Sequence, residues 1–427
     1  MSRRIAWAAA IAALLLAVAL GLLWPRHDKG PPPSAAFAAL PAAEKIARGA
    51  YLARAGDCMA CHTTRGGAEY AGGRVLQTPF GAVVSPNLTQ DAETGIGKWS
   101  ADDFWNALHN GRSRDGRLLY PAFPYPNYTA VTRDDADALY AYLRTIPPVR
   151  RPNEPHRLRF PYDRQAALAV WRALYFRPGV YTAQPRQSAE WNRGAYLVQG
   201  LGHCSACHSE RNALGASGGE LSGGLVPVLG WYAPSLLSDA EAGLGTWQVD
   251  EIAQLLHTGV APRATVFGPM AEVVRASLQH LTDADVRAMA VYLKSLPAAG
   301  NGSTRPERSK APEAIAFLQA GAKLYEQHCA SCHGADGAGA PPHYPPLAGN
   351  RALTTIDATN TIRLVLNGGF PPGTRGNPRP YGMPPFSHVL NDVEVAQVVS
   401  WLRSAWGNDA PPVSGTDVNR YRSVPLD

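Results

Sequence analysis

Methionine is scarce in this sequence: 427 residues carry only five. Lysine is almost as rare, six against 34 arginines, and charged residues together make up 17%. Ordinary globular chains carry about 25%, which argues against long disordered tracts and coiled coils. The net charge of +6 is a small basic excess for this length. It gives no nucleic-acid-binding footprint. No alternating apolar and polar run recurs, which argues against a β architecture. No G-x-G-x-x-G fingerprint opens a βαβ unit. Cysteine is sparse too, at six, and is not scattered as a disulfide framework would be. Apolar residues are plentiful at 45%. At roughly 100–200 residues per domain, the length allows two to four domains.

The chain begins Ser2-Arg3-Arg4 and then runs from Ile5 to Trp24 without a charge. These 20 residues match the length of a membrane-spanning helix, about 20 residues, and exceed the usual signal-peptide core of about 7–15. We expect residues 1–24 to be an uncleaved signal anchor. Arg3 and Arg4 would hold its start in the cytoplasm, so the rest is exported. No cysteine follows the run, which excludes a lipid-modified start. Residues 25–41, with Pro31-Pro32-Pro33, read as a semi-rigid spacer.

The six cysteines fall in three pairs of one form. They are Cys58-Met59-Ala60-Cys61-His62, Cys204-Ser205-Ala206-Cys207-His208 and Cys329-Ala330-Ser331-Cys332-His333. The surrounding sequence repeats with them. Arg48-Gly49-Ala50-Tyr51-Leu52, Arg193-Gly194-Ala195-Tyr196-Leu197 and Ala320-Gly321-Ala322-Lys323-Leu324 precede the three pairs, each as one face of a helix. Gly95-Ile96-Gly97-Lys98-Trp99 returns as Gly243-Leu244-Gly245-Thr246-Trp247, and His109 returns as His257, both 148 residues later. Each copy closes on a helix with an N-cap residue and early acids, starting at Thr132, Thr282 and Asn391.

These repeats set the boundaries. Copies occupy 42–150, 185–300 and 312–408. A connector spans 151–184, a linker 301–311, and a polar tail 409–427. The expected fold class is all-α: three tandem helical domains with long loops behind an N-terminal transmembrane helix.

C-x-x-C-H is the attachment signature of c-type haem. Two thiols can each add to one haem vinyl group, and the following imidazole then becomes an iron ligand. The reading is three covalently bound haem c. Cys58, Cys61, Cys204, Cys207, Cys329 and Cys332 would attach them, with His62, His208 and His333 as ligands. A thiol redox pair or a disulfide would need no following His.

On these motifs, together with Tyr120-Pro121-Ala122-Phe123-Pro124-Tyr125, the chain resembles the tri-haem cytochrome c subunit of bacterial membrane-bound dehydrogenases. The resemblance covers about residues 42–408. It implies a small helical cytochrome c fold for each copy and a Pro carbonyl orienting each proximal His. Pro86-Asn87-Leu88, Pro234-Ser235-Leu236 and Pro345-Pro346-Leu347 share the required form. It also implies Met as sixth ligand, which raises haem potential. Met383 stands 50 residues after His333, and Met270 stands 62 after His208; both are expected ligands. Met289 reads as core, and Met59 sits within a Cys pair. At 61 residues after His62 stands Phe123, where the family has Met. Phe offers no lone pair. The first haem is then five-coordinate, or another side chain such as His109 reaches in; the open site is the main expectation.

The expected function is a relay for electrons, not an enzyme in its own right. The donor would be the catalytic subunit of a dehydrogenase (quinoprotein, flavoprotein or molybdenum hydroxylase). The acceptor would be ubiquinone or another cytochrome or oxidase. The haem domains would lie in the periplasm, anchored to the inner membrane. The alternative is a haem enzyme that reduces peroxide or another small ligand at the first site. No nucleic acid enters either reading.

Overall fold

Three pairs of crossed helices build the protein. The computed structural model describes residues 7, 14, 21, 29–239, 243–298 and 311–424. The helix before each Cys pair spans Ala42–Ala55, Ala189–Gln199 and Pro312–His328. The closing helices span Arg133–Leu143, Asp283–Lys294 and Asp392–Leu402. Their starts are fixed by side chains, as the sequence predicts. Thr132, Thr282 and Asn391 accept backbone N–H groups of Asp135, Asp285 and Glu394 at 3.3, 3.2 and 3.0 Å. Such a cap contributes about 1 kcal/mol.

The repeated glycine explains how closely each pair crosses. A Cβ at Gly49, Gly194 or Gly321 would lie 1.9, 1.9 and 2.1 Å from the carbonyl oxygens of Ala138, Ala288 and Gln397. Only hydrogen fits there. The arginine before it pairs with the closing helix in two copies, Arg48 with Asp135 at 2.6 Å and Arg193 with Asp285 at 2.7 Å. In the third copy Ala320 and Glu394 take these positions, so the pair is lost.

The chain divides into two compact units. One comprises Met1–Gln184, Val198–His203 and Asn212–Ala216; the other comprises Pro185–Leu197, Cys204–Arg211 and Ser217–Asp427. In the first, Leu52, Trp105, Tyr125 and Leu139 are nearly fully buried. In the second, Leu197, Trp247, Met289 and Leu293 are buried around the second copy, so Met289 is core as expected. Tyr325, Leu366, Val395 and Val399 are buried around the third. The second and third copies share this unit through paired contacts. Asn360 exchanges hydrogen bonds with the Tyr232 backbone at 2.9 and 2.7 Å, and the Thr374 hydroxyl donates to the Thr258 carbonyl at 2.8 Å.

Several expectations change. The fold is mainly helical, but short antiparallel strands also form. Val75–Thr78 pairs with Gly81–Val84, which pairs with Arg157–Leu158. Two hairpins lie in the second unit: Gly224–Val226 with Trp231–Ala233, and Val260–Ala261 with Ala264–Thr265. Strands of two to four residues are too short to show a period of two.

The supposed spacer does not stand off over its described part. Ser34 donates to Asp134 at 2.6 Å and caps the turn Ala35–Ala38, burying Phe37. The connector carries a helix, Gln165–Tyr175, which packs Leu168 and Ala169 on Leu118 and sends Arg172 to the Asn110 carbonyl at 2.6 Å. The tail is not free either. Ser414 caps a helix Gly415–Arg422 whose Val418 is fully buried in the third-copy core. The expected membrane anchor, residues 1–24, lies outside the described residues except for Trp7, Leu14 and Gly21. Among the described residues no helix is long and apolar enough to cross a membrane.

Candidate haem-attachment sites

Each C-x-x-C-H motif closes as one turn. The histidine N–H donates to the carbonyl of the first cysteine at 3.0, 2.9 and 3.0 Å for His62, His208 and His333. The turn places two thiols and an imidazole along one short stretch. No disulfide joins any two of the six cysteines. Burial pushes Cys58 and Cys204 up to about 12 and Cys329 up to about 11.

The imidazoles are oriented alike. Nδ1 of His62 bonds the Pro86 carbonyl at 2.8 Å, that of His208 the Pro234 carbonyl at 2.7 Å, and that of His333 the Pro345 carbonyl at 3.0 Å. A carbonyl accepts only, so Nδ1 carries the proton and Nε2 presents its lone pair. Ligating histidines show this arrangement. Burial lowers the pKa of all three, His208 to about 4. They are neutral, as a metal ligand must be. The proline expectation thus meets the geometry in all three copies.

Sequence reading missed what holds the proline loops. Leu88, Leu236 and Leu347 each donate a backbone N–H, to the carbonyls of Tyr70, Leu221 and Gly337 at 2.8, 2.8 and 2.7 Å. Those acceptor residues all have positive φ, 60°, 58° and 67°. Two residues on, Gly72, Gly223 and Gly339 return an N–H to the motif histidine carbonyl at 2.8, 2.9 and 2.9 Å. Their own φ values are also positive, and a Cβ there would lie 2.5, 2.6 and 2.4 Å from backbone of the Pro loop or its approach. Unequal spacing from each histidine hides this repeat in the sequence.

The far-side residues differ. Met383 is half-buried on the same apolar cluster as Cys329 and Ala330, and its backbone exchanges hydrogen bonds with Gly369 at 2.8 and 3.0 Å. Met270 is half-buried in the first turn of the helix Pro269–Ala276. Phe123 packs edge-on to Tyr128 at 5.3 Å between centroids. Tyr128 is buried, donates to the Gly56 carbonyl at 3.0 Å, and lies within electrostatic reach of Cys58 and Cys61. Phe123 therefore stands one ring away from the first Cys pair. His109 is held on its own helix face. It stacks on Trp105 at 4.5 Å and bonds the Thr129 carbonyl at 2.9 Å. Its counterpart His257 meets Asp283 at 3.3 Å. Both bonds suit the structural role that their recurrence suggests.

Paired thiols followed by a neutral, carbonyl-oriented imidazole define a covalent haem-binding polypeptide. The family model for cytochrome c matches residues 46–147, 192–297 and 318–406. The chain belongs to the cytochrome c family, whose haem c is covalently bound. It is 40% identical over 396 residues to the alcohol dehydrogenase (quinone) cytochrome c subunit of Gluconobacter oxydans (strain 621H), covering 89% of this chain and 82% of that protein. It is 41% identical to the gluconate 2-dehydrogenase cytochrome c subunit of Pantoea cypripedii, covering 88% and 89%. It is 35% identical to the fructose dehydrogenase cytochrome subunit of Gluconobacter japonicus, covering 89% and 84%.

Proposed function

We propose that the chain is a tri-haem electron relay between the catalytic subunit of a dehydrogenase and the respiratory chain. Cys58 with Cys61, Cys204 with Cys207, and Cys329 with Cys332 hold the haems. His62, His208 and His333 are the proximal ligands. Met270 and Met383 are the sixth ligands of the second and third. The haem supplies the one-electron chemistry, while the protein sets ligation and burial. The chain is the electron-transfer subunit of such a complex and not its catalytic one. Ubiquinone or a further cytochrome or oxidase is the acceptor. The residue 1–24 anchor holds the three haem domains at the periplasmic face of the inner membrane.

The observation that carries this reading is the threefold His–Pro carbonyl bond directly after a two-cysteine turn. Haem read as the pyridine haemochrome of the denatured full-length protein, still thioether-bound to it, should amount to three per chain. A value of two or fewer would refute the relay as drawn. The purified complex should also reduce a ubiquinone analogue when given the dehydrogenase's substrate.

Phe123 supports a second reading confined to the first site. No thioether stands at that position. The first haem is then open on its far side and takes a small neutral ligand. Carbon monoxide should bind one haem of the three, and a high-spin ferric signal should match that fraction. Peroxide turnover by the isolated subunit with a reduced donor would make the site enzymatic; its lack would leave a relay with one open haem.

A further inference from the structure

Arg351 belongs to the third copy by sequence, yet it serves the second site. It follows the Pro345-Pro346-Leu347 loop of its own copy and opens the turn Arg351–Thr354. Its guanidinium donates to the Ser235 carbonyl at 2.6 Å and lies over the Trp247 ring at 5.6 Å. Ser235 follows Pro234, whose carbonyl orients His208. One residue from the third copy thus grips the peptide next to the bond that fixes the second proximal ligand.

Its charge also acts there. Desolvation lowers the Arg351 pKa to about 10, so it remains a cation at neutral pH. That charge sits one peptide away from the Pro234 carbonyl that holds His208. Three other charged groups lie nearby. Asp239 accepts from the Ser235 hydroxyl at 2.8 Å. Arg263 also lies over Trp247, at 5.8 Å, and is paired with Glu251 at 3.2 Å. The carboxylate faces the hydroxyl side of Ser235, while Arg351 faces the carbonyl side. A rigid guanidinium fork that also stacks on an indole is a placement that lysine does not reproduce in geometry, only in charge.

We propose that Arg351 is a positioning residue that raises the reduction potential of the second haem from within the third copy. Ferric iron carries one more positive charge than ferrous iron. A fixed cation beside the proximal ligand therefore favours the reduced state. The haem flanked by Met270 becomes an electron sink whose depth depends on the third copy being folded. This rests on the three-haem reading above.

The test is a potentiometric titration of the full-length haem-loaded protein, followed by visible absorption. Met270→His first marks which wave belongs to the second haem. Arg351→Gln should then weaken reduction of that haem about tenfold, a downward shift of ~59 mV for one electron. The other two waves should stay in place. Arg351→Lys keeps the charge and should hold the wave near its original position. Arg351→Met replaces the Gln variant should that one fail to load haem. The proposal is overturned if the marked wave does not move, if all three move together, or if Lys lowers it as much as Gln. A haem count other than three would instead overturn the relay reading, independently of this result.

Discussion

Pro86 lies 24 residues after His62, and Pro345 lies only 12 after His333, yet both carbonyls meet Nδ1 near 3 Å. The residues that the proposed function puts on the far side diverge. The third site offers Met383 on an apolar cluster shared with Cys329, while the first offers Phe123 against Tyr128. The proximal side is set by backbone carbonyls and glycine conformations, which tolerate a change of loop length. The far side is set by one side chain, which tolerates a change of chemistry.

Exchanging the far-side residues should have the largest effect. Met270→Phe makes the second site resemble the first, so the carbon monoxide-reactive share should rise from one haem in three to two. The potential of that haem should fall with loss of the thioether. The reverse exchange, Phe123→Met, should abolish carbon monoxide binding and raise the lowest potential of the three. A carbon monoxide-reactive haem surviving in Phe123→Met would break the comparison.

Changes on the proximal side should cost stability as well as ligation. Gly72→Ala puts a methyl 2.5 Å from the Pro86 carbonyl at a φ of 72°. The left-handed conformation alone costs about 1–2 kcal/mol. The first haem should lose its ligand orientation, read as a changed Soret band, with the other two intact. At the helix crossing, Gly194→Ala overpacks against the Ala288 carbonyl, and about 1–3 kcal/mol of stability should be lost in thermal unfolding. Smallest is the cap. Thr132→Ala should cost about 1 kcal/mol without moving any haem potential.

Much of this architecture was legible from residue spacing. The two-cysteine turns, the helices before them and the capped closing helices follow from local rules that act over a few residues. The Pro-x-Leu carbonyls were legible because the motif recurs. The glycines that secure those loops were not, since their distance from each histidine varies while their conformation does not. The docked tail escaped notice for another reason. Its helix buries one apolar residue, Val418, and holds on through Arg422 to the Ser387 and Leu390 carbonyls at 2.9 and 2.7 Å. A single buried side chain leaves no apolar stripe. Ser414-x-x-Asp417, a capping box, was the available signal. Arg351 was invisible for a third reason: a contact 116 residues away in sequence has no local pattern.

The proximal loop, fastened at both ends, has a consequence for how such chains are built. The backbone is tied at the glycine before the proline and again at the leucine two residues after it. Closing a longer flexible segment between fixed points costs only about 0.6 kcal/mol per doubling of its length. This stretch is therefore the natural place to splice in a binding epitope or a label, and an insertion there should leave the electron path through the iron as it was.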